Sequence, residues 1–296
     1  MRWNLGVATL AASWGLIAVI VRKVDLDAQV LTFFRLAFAA LTLGIVAVLA
    51  RRLARLRLVR HRRWIAVIGV TLAGHWFVYF ATIKLSSVAV AVLMAYLAPL
   101  AIALIAPLVL PERRSRVALA ALVPAGAGVA LVALGGSEGG AVRPLALVTG
   151  LLTAATYAAL VLMTKRIAAD VPVLALSFWN YAVAAVAVSP LLLTADRVVP
   201  DRGELPAVLA LGVVFTAVSG YLYIWFLRHV TAQTIGILAY IEPVSAALMA
   251  WAFVDEALTW QVVVGGALVI VAGATVVFLE PADAAAPETA GIGSPR

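Results

Sequence analysis

The sequence predicts an all-α integral membrane protein of ten transmembrane helices, arranged as two inverted five-helix repeats. Three observations carry that prediction: an apolar composition, ten apolar runs of spanning length, and a duplication within the chain. Of 296 residues, 65% are hydrophobic and 12% charged. A soluble domain carries roughly 25% charge, so a soluble shell cannot be built from this chain. Mean hydropathy is +1.10. A helix crosses the hydrocarbon core in about 20 residues, so ten crossings use most of the chain.

The runs are bounded by charges or turn residues. The first, 3–21, follows Arg2; its length and the nine similar runs after it predict a retained helix rather than a cleaved signal peptide. The second, 29–50, lies between Asp27 and the arginine-rich stretch 51–63, and the third, 64–83, ends at Lys84. The fourth and fifth, 88–110 and 117–134, are separated by Glu112 and three arginines. Arg143 precedes the sixth, 145–164, which ends at Lys165, and the seventh is 172–194. The eighth, 206–227, closes on Arg228; the ninth and tenth, 232–254 and 258–279, flank Asp255 and Glu256. The tail, 281–296, is rich in Ala, Pro and Gly and is expected to be disordered.

Fifteen of the 22 Lys and Arg residues fall on the side that holds both termini and six on the other, with Arg35 inside a span. The positive-inside rule therefore places both termini in the cytoplasm, in a cell (plasma or inner) membrane. This also accounts for the net charge of +8 without a nucleic-acid partner. With no Cys, disulfides, thiolate metal sites and cysteine nucleophiles are excluded.

Sliding the chain by 144 residues sets Ala95-Tyr96-Leu97-Ala98-Pro99 on Ala239-Tyr240-Ile241-Glu242-Pro243, Tyr79 on Tyr223, His75 on Ser219, and Glu112 on Glu256. Small shifts bring Phe33-Phe34-Arg35-Leu36 onto Phe178-Trp179-Asn180-Tyr181, and Trp14 near Tyr157. The predicted repeats are 1–139 and 140–280. Five helices is an odd number, so the second repeat starts on the opposite face of the membrane. Inverted repeats of this kind mark secondary transporters, whose substrate site lies near the midplane between the halves.

The ten spans in a 5+5 duplication, Trp14-Gly15 in the first, the stretch Ala239-Tyr240-Ile241-Glu242-Pro243 and the later Glu256 resemble the EamA-type members of the drug/metabolite transporter superfamily. The first half departs from the Glu-Pro form, carrying Ala98-Pro99. The resemblance implies a permease, often an exporter of amino acids or other small metabolites, with no ATPase of its own and no cofactor. A lipid or lipid-linked sugar flippase is the alternative. Ten helices suffice for one path, so a monomer or a homodimer fits.

Glu242 is the most informative residue. It lies near the middle of the ninth span, where an ionised carboxylate costs about 2.5–3.5 kcal/mol. It must face a cavity or stay protonated, as a proton-exchange site or as partner to a substrate cation. Pro243 and its counterpart Pro99 are expected to kink their helices. Arg35 lies roughly 9 Å deep at 1.5 Å per residue; it either snorkels to the interface or anchors a substrate carboxylate or phosphate. His75 is either a packing residue or a second member of a proton path with Glu242. Trp14, Tyr79, Tyr96, Tyr157, Trp179, Tyr223 and Tyr240 stand away from the span ends and are candidates, with Asn180, to line the substrate cavity. Tyr96 and Tyr240 each precede a proline by three residues and form the preferred gate or cavity pair.

Glu112 and Glu256 are read as complementing the dipoles of the fifth and tenth helices. Gly126-Ala127-Gly128 and Gly265-Gly266 allow close helix packing or dimerisation. Gly135-Gly136-Ser137-Glu138-Gly139 matches a hydrolase pattern, but that pattern needs a strand–turn–helix elbow, and this loop joins two membrane helices. No metal-binding motif occurs. An enzyme is therefore not expected; the partners are a small-molecule substrate, protons and the bilayer.

Overall fold

The computed structural model describes residues 2–21, 24–57, 61–85, 94–135, 144–254 and 259–279. Every regular element among them is helical, because a chain in lipid must satisfy its backbone within itself. In order, α1 is Arg2–Val21, α2 Ala28–Leu49, α3 Arg62–Leu85, α4 Ala98–Val109, α5 Arg116–Gly135, α6 Pro144–Ala168 and α7 Val173–Val188. Then come α8 Leu205–Leu227, α9 Ala232–Ala239, α10 Ile241–Val254 and α11 Trp260–Leu279. A 3-10 turn, Leu53–Leu56, follows α2, and another, Ser189–Thr194, extends α7.

Seven of these passages are long and apolar enough to cross a membrane: α1, α2, α6, α7 with its 3-10 extension, α8, the α9–α10 pair, and α11. Two shorter apolar helices, Ala98–Val109 and Arg116–Leu131, join them. Large apolar side chains point outward all round, Leu41, Val123, Val186 and Val271 among them, each more than half exposed. On a soluble protein such a surface would aggregate; here it meets lipid. Intrahelical threonines return their hydroxyls to carbonyls one turn back, as Thr42 does to Phe38 (2.7 Å) and Thr82 to Val78 (2.8 Å), so they cost little in hydrocarbon.

The helices pack across the halves of the chain. α5 lies against α11, α4 against α9, α2 against α7, α1 against α10, and α3 against both α6 and α7. Two contacts are backbone-close. A Cβ on Gly15 would stand 2.6 Å from the Ala246 nitrogen, and one on Gly128 would meet the Gly265 carbonyl and stand 2.8 Å from Val269 Cγ2. Gly15 and Gly128 thus serve close contacts within one chain, whereas Gly126 of the same stretch meets nothing within 4 Å.

Pro99 and Pro243 do not kink continuous helices. Each sits in the first turn of a helix, α4 and α10, that begins after a break at Tyr96-Leu97 and at Tyr240. A first-turn residue has no intrahelical acceptor for its N–H, so proline is accommodated there without a lost bond. The eighth passage holds an unexpected feature: Val213–Val218 is a π-helical turn.

Glu112 also differs from expectation. It does not serve its own helix, where Ser115 Oγ accepts from the Ala118 N–H (2.8 Å). It caps α9, its carboxylate accepting from the Ala232 N–H at 2.9 and 3.1 Å, and pairs with Lys165 at 3.4 Å. The Lys165 ammonium donates in turn to the Leu227 and Val230 carbonyls. Burial pushes the Glu112 carboxyl up, against the opposing pull of Lys165 and the Ala232 N–H. Gln233, fully buried, completes the knot by donating to the Arg113 carbonyl (2.9 Å) and accepting from the Ser115 N–H (3.0 Å). Glu256, the hydrolase-like motif, the 139/140 repeat boundary and the tail lie outside the described residues.

Candidate functional site

A cavity of about 280 Å³ lies between α1, α2, α3, α6, α7, α8 and α10. Helical periodicity decides which residues reach it. Thr32, Arg35 and Leu36 form one stripe of α2, and Leu72, His75, Trp76 and Tyr79 one stripe of α3. Phe215, Thr216, Ser219, Gly220 and Tyr223 come from α8, Trp14 and Ile17 from α1, Tyr157 from α6, Tyr181 from α7 and Glu242 from α10. Tyr96 enters from the turn before α4.

Two side chains of opposite charge share this aromatic chamber. The Arg35 Nε donates to Thr216 Oγ1 (3.2 Å), and its guanidinium stands 4.9 Å from the centre of the Trp76 ring. Arg35 is therefore held inward rather than reaching for the interface. The π turn matters here: Thr216 hydroxyl donates back to Leu211 O, five residues earlier (2.7 Å), which leaves its oxygen free to accept from Arg35. Across the cavity, Tyr96 stands beside the Glu242 carboxylate. Tyr79 and Tyr157 stand close enough to feel its charge, as does Arg35.

His75 belongs to the aromatic wall. Its ring centre is 5.6 Å from that of Tyr157 and 6.3 Å from that of Tyr79. Its Nδ1 lies 3.1 Å from Thr156 Oγ1, whose own hydrogen is directed to Leu152 O (2.7 Å). Trp14 meets Tyr223 with ring centres 5.7 Å apart, and the buried Tyr223 hydroxyl has no hydrogen-bond partner among the described residues. A polar atom left open in a cavity wall is available to a bound molecule.

Three residues named from the sequence stand elsewhere. Trp179 turns outward from the chamber and donates from Nε1 to the Leu56 carbonyl (2.8 Å), tying α7 to the turn after α2. Asn180 is buried beside it, its Oδ1 without a partner among the described residues. Tyr240 packs behind Tyr96 with ring centres 5.5 Å apart. Conversely, Thr32, Trp76, Tyr181, Thr216 and Ser219 line the cavity without having been proposed for it. Helical spacing from Arg35 and Tyr79 points to Thr32 and Trp76. The alignment that set Asn180 on Arg35 also set Tyr181 on Leu36, and it is that second pair which faces the cavity. Among the described residues no group of three or more His, Cys, Asp or Glu could hold a metal.

An all-helical chain with an apolar exterior, enclosing a chamber with two opposed charges, belongs to the class of multi-pass membrane transporters. The model of the EamA-like transporter family matches residues 1–134 and 144–279. This chain belongs to that family, and is a transporter rather than an enzyme. It is 30% identical over 285 residues to an uncharacterized transporter of Archaeoglobus fulgidus, covering 95% of this chain and 98% of the other. It is 32% identical over 189 residues to the aromatic amino acid exporter YddG of Ancylobacter novellus, covering 63% and 65%. One solved crystal structure superimposes with a TM-score of 0.81 at 24% identity, over 94% and 96% of the two chains, which shows the shared fold.

Proposed function

We infer that this protein exports an amino acid with an aromatic or large apolar side chain, by alternating access coupled to protons. The observation that carries this reading is the placement of Arg35 and Glu242 in one aromatic-lined cavity. An amino acid carries a carboxylate and an ammonium a few ångströms apart, with a side chain projecting from between them. The guanidinium fork suits the carboxylate, Glu242 the ammonium, and Trp14, Tyr79, Tyr157 and Tyr223 the side chain. The relation to an aromatic amino acid exporter supports the same substrate class.

Glu242 is the coupling residue. Substrate and proton compete for one carboxylate, so release of the ammonium to the outside and uptake of a proton alternate at the same site. His75 offers a second titratable group in the same wall. Ten spans in two inverted repeats, both termini cytoplasmic and a cell-membrane location complete the reading. The separate family matches to the two halves support it, as does the pairing of α4 with α9 and α5 with α11. Either a monomer or a homodimer accommodates it, since one chain encloses the whole cavity.

The test is a mass-spectrometric comparison of medium from cells producing the wild type, Glu242→Gln, Arg35→Gln or no transporter. Aromatic amino acids should accumulate outside only with the wild type. Accumulation undiminished by both variants would overturn the site, and accumulation of a lipid or another metabolite class instead would overturn the substrate. Orientation is tested separately, since the Cys-free chain accepts single cysteines at Arg57 and Asp201. A membrane-impermeant maleimide added to intact cells should label the second and not the first.

A further inference from the structure

A second cavity, of about 580 Å³, lies between α2, α7 and α8 and shares no residue with the first. α8 divides the two. Thr216, Ser219 and Gly220 face the first, while Ala217, Val218, Tyr221 and Leu222 line the second. The wall of this groove is hydrocarbon, with Leu43, Val46, Val173 and Leu174 opposite α8. Val46 is 47% and Val218 49% exposed, so the groove opens onto the lipid-facing surface.

Its rim is cationic. Arg52 and Arg55 reach it from the turn after α2, Arg228 from the end of α8, and among the described residues no carboxylate lines it. Arg228 donates to the Val171 carbonyl, which holds it in place, while its Nε is buried without a hydrogen-bond partner among the described residues. Three guanidinium groups around one opening repel one another until an anion joins them, and a buried N–H with no acceptor is costly. The rim therefore requires an anion and the wall requires hydrocarbon. Trp225 and Tyr221 stand where the two meet, the usual depth of amphipathic rings at a membrane surface.

We propose that this groove binds an anionic phospholipid from the leaflet beside the arginine run, with its phosphate between Arg52, Arg55 and Arg228 and an acyl chain along α2 and α8. Guanidinium forks match phosphate oxygens through paired hydrogen bonds. Inorganic phosphate would satisfy the rim but leave the wall of Val46, Val218 and Leu222 wet. The proposal needs no assumption about the transported substrate, or about which face of the membrane the arginine run occupies.

The test is native mass spectrometry of the full chain released from detergent, titrated with phosphatidylglycerol, with phosphatidylcholine of the same chains, and with inorganic phosphate. The groove variant is Arg52→Gln/Arg55→Gln/Arg228→Gln. A variant of equal charge loss, Arg113→Gln/Arg114→Gln/Arg116→Gln, removes exposed arginines at the same end of the molecule. Val218→Trp fills the groove and keeps every charge. Wild type and the charge control should bind phosphatidylglycerol about tenfold or more tightly than the groove variant and Val218→Trp. Phosphatidylcholine should bind all four weakly and alike, and equal inorganic phosphate should not displace the lipid. Binding kept within twofold by the groove variant, lost equally in the charge control, or equally strong for phosphatidylcholine would overturn the proposal. Displacement by phosphate would reduce it to a simple anion site and overturn the lipid assignment.

Discussion

Tyr240 donates its hydroxyl to the main-chain carbonyl of Tyr96 at 2.8 Å, across 144 residues of sequence, while the two rings stack. Tyr96 in turn stands in the cavity wall beside Glu242, two residues beyond Tyr240. The wall beside the carboxylate is thus braced by a second tyrosine behind it. Tyr240→Phe leaves the Tyr96 carbonyl unpaired, at a cost of about 1–3 kcal/mol. It should lower the detergent melting temperature by several degrees and slow export several-fold. Tyr223→Phe removes a hydroxyl with no partner among the described residues, so it should leave melting unchanged while weakening substrate affinity. Equal melting shifts for the two variants would contradict this division of roles.

Arg35 is bonded through Nε to Thr216 and stacked over Trp76, a geometry that uses the planar fork. Arg35→Lys keeps a positive charge and loses the fork. Export affinity measured in vesicles should fall about tenfold in Arg35→Lys and less in Thr216→Val. Full activity in Arg35→Lys would mean that only the charge is used.

Glu112 and Lys165 are 3% and 11% exposed and join the loop before α5 to the ends of α6 and α8. Removing one partner strands the other. Glu112→Ala should destabilise the protein by about 3–5 kcal/mol and yield little folded material by size-exclusion chromatography. The double variant Glu112→Gln/Lys165→Met should recover much of it, since no buried charge is then left alone.

Gly15 lets α1 touch the backbone of α10 three to four residues after Glu242. Gly15→Ala places a Cβ 2.6 Å from the Ala246 nitrogen, and backbone cannot swing aside as a side chain can. A melting drop corresponding to about 1–3 kcal/mol is expected, together with reduced transport. Gly74→Ala, which meets nothing within 4 Å, should be neutral in melting.

On the opposite end from the arginine run, Glu204 accepts from Arg197 Nη2 (2.8 Å) and from the Asp25 and Asp201 N–H groups, latching the loop after α1 to the one before α8. The hydrogen bond from Arg197, then that from Asp201, holds the Glu204 carboxyl below its ordinary 4.5. A depressed folded-state value means that the stabilisation is present above about 4.5 and is lost as the pH falls through the lower folded value. Melting of the wild type should therefore drop more steeply below pH 4.5 than that of Glu204→Gln, and salt should narrow the gap. Parallel curves would show that the latch is not energetically coupled to folding.

The membrane class, the helical runs and the two deep charges were legible because each is a property of one stretch of chain. Hydropathy found the runs, and a carboxylate or guanidinium amid them announced itself by its cost in hydrocarbon. Facing was not legible in the same way. In a soluble helix the apolar stripe marks the inside, but lipid is as apolar as a core, so all faces of α7 read alike. Trp179, Asn180 and Tyr181 are consecutive, and packing against α2, α3 and α8 alone decides that Tyr181 enters the cavity. The same holds for Glu112, whose N–H partner lies 120 residues away, and for Pro99 and Pro243, which local rules assign to a kink and the structure places at helix starts.

By itself the sequence determined that this chain must live in a membrane, fold as helices and carry a carboxylate and a guanidinium within apolar runs, because those follow from local hydrophobicity. Only the tertiary structure decided that Arg35 turns inward to Thr216 in the π turn, and that Tyr240 stands behind Tyr96. Those outcomes depend on which helices touch, and in a uniformly apolar chain that is settled by shape and by the few long-range hydrogen bonds rather than by any pattern along one helix.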